Sequence, residues 1–146
     1  MSDRIAEQKR DRRDLLNTTS ELANEFLDGL AERPVARPVD FEQLLTELDG
    51  AGLQREGDDP NRIVGELARL AEHAIVASAG PRYFGFVVGG SLPVALATDW
   101  LTSAWDQNGG FYAHSPLAAA VEQIAGDWLI DLFGLSKDSS VGFVTG

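Results

Sequence analysis

The 146-residue chain has no cysteine, which excludes disulfides, thiolate catalysis and cysteine-based metal sites. Lysine is nearly absent, with only Lys9 and Lys137, and histidine is limited to His73 and His114. No His-x-x-x-His or carboxylate–histidine spacing joins the histidines into a metal site, so none is expected. The N-terminus lacks an apolar signal core, and no apolar run approaches the ~18–20 residues that span a bilayer. Positive charge is scarce: 12 basic against 23 acidic side chains leave a net charge of −11, which disfavours nucleic acid and anionic membranes as partners. The early basic residues Arg4, Lys9, Arg10, Arg12 and Arg13 are nearly cancelled by Asp3, Glu7, Asp11 and Asp14 and read as a solvated helix face. A cytoplasmic protein is the default expectation.

What is present is a normal apolar share of 44%, arranged mainly at helical spacing. Leu15, Leu16, Thr19, Leu22, Ala23, Phe26, Leu27 and Leu30 form one stripe, and Arg33-Pro34 is expected to end that helix. Asp40 with Gln43 resembles a capping box that opens a short helix through Leu48, terminated by Gly50 or Gly52. Asp59-Pro60 is a second start signal, and the stripe Ile63, Val64, Leu67, Leu70, Ala71, Ala74, Ile75 predicts a helix ending near Gly80-Pro81.

Tyr83–Val88 suits either a short strand or an ordered loop. Leu92-Pro93 opens a helix to about Trp105, broken by Asp106-Gln107-Asn108-Gly109-Gly110. Ser115-Pro116 starts the last helix, and Gly134-Leu135 should end it in a Schellman motif. The linkers Arg33–Val39 and Gly50–Pro60 hold the first helices apart, which favours burial of their stripes on another surface, often a partner subunit, over a closed bundle.

Each cluster with chemical potential has a plain structural alternative. The glycine-flanked run Arg82–Gly90 suits an apolar pocket wall or a core strand. Gly89-Gly90-Ser91 lacks the fuller glycine pattern and the lysine of a phosphate loop. Asp106, Gln107 and Asn108 either orient a polar ligand or cap a helix. Ser115 reads as an N-cap, since no Gly-x-Ser-x-Gly elbow surrounds it. Glu122 is either semi-buried and paired or simply placed at the positive end of a helix dipole. Phe143-Val144-Thr145 has strand character, and Thr145-Gly146 begins a turn of the kind that offers backbone N–H groups to a phosphate.

Taken in order, these features resemble the N-terminal part of the group II pyridoxal-phosphate-dependent amino-acid decarboxylases. The motifs are Pro81-Arg82-Tyr83-Phe84-Gly85-Phe86, Leu92-Pro93 with Asp99, Trp105-Asp106-Gln107-Asn108, Ser115-Pro116 with Glu122, Trp128-Leu129, Gly134-Leu135 and Gly142-Phe143-Val144-Thr145-Gly146. The resemblance is strong over 80–146 and looser over 14–79. It implies a mainly α chain: the N-terminal helical segment and first helices of a type I, aminotransferase-like fold, without most of the large α/β domain.

Residues 1–79 would then be a dimer clasp and 80–146 the start of the decarboxylase domain. The resemblance further implies a homodimer acting on a small amino acid. Phe84, Phe86, Val87, Val88 and Gly89 would line the substrate pocket, while Gln107, Asn108 and Gly110 would reach the other subunit's site. Thr145 and Gly146 would stand at the edge of the turn that binds the pyridoxal 5'-phosphate group. The side chains Phe84, Phe86 and Val87 lean towards aromatic or apolar substrates. Neither Lys9 nor Lys137 matches the family's Schiff-base lysine, so the expected chain alone binds no cofactor and is inactive. An inert helical interaction module, or another enzyme of the same fold, are the alternatives.

Overall fold

The computed structural model describes residues 2–49, 52 and 56–144. Among them are five α-helices and no strand: α1 (Ser2–Asp28), α2 (Phe41–Asp49), α3 (Pro60–Ala74), α4 (Pro93–Trp105) and α5 (Pro116–Leu132). The mainly α expectation therefore holds. The chain divides into two compact units, Met1–Ser91 and Leu92–Gly146.

In the first unit α1 packs on α3. The start of α2 is set by Asp40, whose carboxylate accepts from the Gln43 amide at 3.0 Å. Gln43 does not return the bond; its side chain donates to Glu47 instead, so only half of a capping box forms. The start of α3 is set by Asp59, whose side chain accepts from the Asn61 amide, with Pro60 in the first turn. Arg62 adds ion pairs one turn away in each direction, to Asp58 and Glu66.

Two ends differ from the sequence expectation. Helix α1 stops at Asp28 and runs into hydrogen-bonded turns at Gly29–Arg33, before the proline is reached. Helix α3 stops at Ala74 because Ile75 turns extended, and Ala77 then donates its N–H to the Val35 carbonyl at 2.9 Å. Tyr83–Val88 is a loop.

Arg33 ties this unit together. Its guanidinium forms a two-pronged pair with Glu72 of α3, at 2.8 and 2.9 Å, and stacks over the Phe26 ring of α1 at 4.7 Å. Its carbonyl accepts from Arg82. The hydrogen bonds with Glu72 raise the Arg33 pKa, and those from Arg33 hold the Glu72 carboxyl below its ordinary value.

In the second unit Ser115 begins α5: it is buried (3% exposed) and its hydroxyl accepts from the Ala118 amide at 3.3 Å. The end of α5 closes as a Schellman motif. Gly134 adopts φ +62°, Leu135 N–H donates to the Ile130 carbonyl and Gly134 N–H to that of Asp131, both at 3.0 Å. Gly126, buried inside α5, lets Val141 of the following segment approach the helix. Residues 141–144 run without regular structure, so the strand character of Phe143-Val144 is not realised among the described residues.

The core is thin. Leu70 (6% exposed) and Ala77 (2%) are the buried apolar residues of the first unit. The apolar sides of the helices stay open: Leu16 and Leu27 on α1, Phe41, Leu45 and Leu48 on α2, Ile63 and Leu67 on α3, and Leu117, Val121, Ile124 and Trp128 on α5. Apolar surface on this scale is characteristic of faces made to be covered.

Candidate functional site

The residues expected to contact substrate fall into both units and are described in each separately. In the first, Phe84, Phe86, Val87, Val88 and Gly89 form an exposed loop. The Tyr83 ring lies under Gly85, where an added Cβ would meet the hydroxyl at 2.9 Å. The next two side chains project outwards, Phe86 92% and Val87 107% exposed, and both residues have positive φ, 53° and 54°. Only the glycines on either side hint at this backbone, because Phe and Val rarely adopt it.

In the second unit, Asp106 ends α4 in the left-handed conformation (φ 50°, ψ 48°) and donates its N–H to the Thr102 carbonyl. Gln107 turns back to donate to the Trp105 carbonyl at 2.9 Å, and the Asn108 carboxamide accepts from the Gly110 amide at 3.0 Å. These amides fix the turn that leaves α4, and Gln107 also lines the adjoining groove.

That groove is a cavity of about 730 Å³ along α4 and α5. Thr98, Thr102 and Trp105 line it from α4, Leu117 and Val121 from α5, and Phe143 from the segment beyond. Thr98 and Thr102 each spend the hydroxyl on the carbonyl one turn back, so the wall they present is less polar than their type suggests. Glu122 reaches the same groove and a smaller cleft of about 300 Å³ beside Val141. It is exposed and, among the described residues, in no ion pair, so the semi-buried, paired alternative does not hold. Sequence reasoning missed the groove, although the four-residue spacing of Thr98 and Thr102 was a visible signal of a shared face.

Lys9 is exposed on the first half of α1 and Lys137 in the exposed Ser136–Ser139 turn. Thr145 and Gly146, the expected edge of the phosphate turn, lie outside the described residues. His73 borders a small cavity of about 90 Å³ with Asp40, Gln43 and Glu47, and His114 lies in the exposed turn before α5. No group of three potential metal ligands occurs among the described residues. No described helix is long and apolar enough to cross a membrane.

Comparison with known proteins places this architecture. Two crystal structures of mouse CSAD, one of them the apo form, are each similar to the chain with a TM-score of 0.73 and 26% identity, over 84% of this chain and 26% of theirs. The chain thus spans about a quarter of the length of those solved chains. No curated protein matches. The family model described as the pyridoxal-dependent decarboxylase conserved domain matches residues 42–145, from the start of α2 to the end of the segment that follows α5. Fold and family model agree, and the chain belongs to the pyridoxal-dependent decarboxylase family.

Proposed function

We propose that this chain is the N-terminal portion of a pyridoxal-phosphate-dependent amino-acid decarboxylase, a cytoplasmic homodimer, and that it supplies dimer surface and substrate-pocket wall. The observation that carries the reading is the family match over 42–145 in a chain whose helices leave their apolar sides open. Residues 1–79 act as the clasp, and 80–146 begin the catalytic domain. Phe84, Phe86, Val87, Val88 and Gly89 bound the substrate's side chain, favouring an aromatic or apolar amino acid. Gln107, Asn108 and Gly110 approach the substrate of the other subunit.

Pyridoxal phosphate, when bound in the complete enzyme, supplies the electron sink for loss of the carboxylate. Neither Lys9 nor Lys137 matches the family's Schiff-base lysine, and on this reading the chain by itself is inert. The test is to incubate the purified chain with pyridoxal phosphate and reduce with borohydride. No specific, stoichiometric label is expected, while light scattering should show self-association. Specific labelling of one lysine, or a chain that stays monomeric at high concentration, would refute the corresponding part of the reading.

The exposed apolar faces also support a second reading, an inert helical interaction module. The arbiter is the coding sequence: a decarboxylase needs a catalytic lysine segment in the same or a neighbouring frame, and a stable homodimer without one favours the module.

A further inference from the structure

Gly85–Val88 is a tight turn whose own residues oppose it. Val88 donates its N–H to the Gly85 carbonyl at 3.4 Å, and the two central residues, Phe86 and Val87, both have positive φ. Those are the signs of a type I′ turn, whose central positions favour Asn-Gly. A non-glycine residue in the left-handed region is disfavoured about 5- to 30-fold, and a β-branched one such as valine is among the worst suited. Two such residues multiply to about 25-fold or more, whereas a hydrogen bond of this length returns about tenfold at most.

Among the described residues nothing offsets the difference, because both side chains stand in solvent. The base of the turn is held by Tyr83 against Gly85, while an added Cβ at Gly89 would meet nothing within 4 Å. The strand of chain leaving the tip therefore has room to swing.

We propose that Gly85–Val88 is a two-state element: the turn exchanges with an open form in which Phe86 and Val87 return to negative φ, pivoting between Tyr83 and Gly89. The inference concerns the free chain and stands apart from the reading of these residues as a pocket wall. If both hold, the wall is assembled by selection of one loop state when its surroundings close around it.

Two variants lock the ends of the equilibrium. F86N/V87G supplies the favoured type I′ pair. V87P forbids positive φ at 87 and pushes residue 86 to the extended region as well, and it removes no hydrogen bond of the turn, whose donor is Val88. Amide spectra and ¹⁵N relaxation dispersion on the chain are the readout. The expected result is dispersion confined to residues 84–89, lost in both variants, with the wild-type Val88 and Gly89 shifts between the locked extremes. Wild-type shifts that coincide with either variant, without dispersion, would overturn the proposal. Hydrogen exchange of the Val88 amide is an independent check: slowing below about tenfold is expected, and protection of about 100-fold or more would overturn it. Neither measurement involves substrate, so the pocket-wall reading can fail or survive separately.

Discussion

Replacing Gly126 by alanine should stabilise the second unit, although the residue is buried. An alanine Cβ at this position would lie 3.4 Å from the Val141 Cβ and 3.6 and 4.0 Å from its two methyl carbons. These are van der Waals distances at the close end of the ordinary range, so crowding costs a few tenths of a kcal/mol at most. Val141 is itself partly exposed and ends no helix or strand, so it can yield. Against that cost, exchanging glycine for alanine inside a helix gains about 1 kcal/mol. The new methyl also removes some apolar surface from water. The net expectation is about 0.5–1 kcal/mol of stabilisation, or a shift of about 4 °C or more in the melting temperature of so small a unit. All three tryptophans, Trp100, Trp105 and Trp128, belong to this unit, so their fluorescence during chemical denaturation follows it selectively. Gly126→Val serves as the contrast: its extra methyls enter the Val141 contact and should cost about 1–3 kcal/mol. An alanine variant destabilised by more than about 0.5 kcal/mol would show that α5 and Val141 meet without any slack, and the reasoning would fail.

Ser115→Ala removes the cap of α5 and should cost about 1 kcal/mol by the same fluorescence assay, with Ser115→Asp restoring most of it. Gly134→Ala, placed at φ +62°, should cost about 1 kcal/mol, since the Schellman turn cannot form without a left-handed residue. Arg33 lowers the Glu72 pKa, so the stability the pair provides is present above the ordinary carboxylate range and is lost as pH falls through the lower, folded-state value. An acid titration of the first unit by circular dichroism should show this limb in the wild type, and Glu72→Gln should flatten it. An unchanged acid profile would remove the clamp from the account.

The helix starts were legible because they are written in adjacent residues: Asp59 before Pro60, and Ser115 before Pro116, each cap its own helix. The Schellman end at Gly134-Leu135 was legible for the same reason. Where an end depends on other parts of the chain, the sequence misled. The apolar stripe of α1 continues to Leu30, yet the helix stops at Asp28, where the chain turns so that Arg33 can reach Glu72, a residue 39 positions away. No local pattern announces such a partner. The backbone of the candidate segments was not legible. The family motifs pointed to Phe84–Gly89 and Gln107–Gly110, but the left-handed backbone of Phe86 and Val87 runs against the preferences of both residues. The groove between α4 and α5 needs Phe143, which arrives only after α5 has turned back, so its lining is a product of tertiary packing.

Helix α1 has the mechanics of a cantilever. At about 1.5 Å per residue its 27 residues extend about 40 Å, and its described residues from Arg4 to Asp14 are all exposed. The supported half ends beside Arg33, whose carbonyl is held by Arg82, one residue before the loop that carries Phe84 and Phe86. A body that grips the free end therefore works on a long arm, with its fulcrum next to that loop.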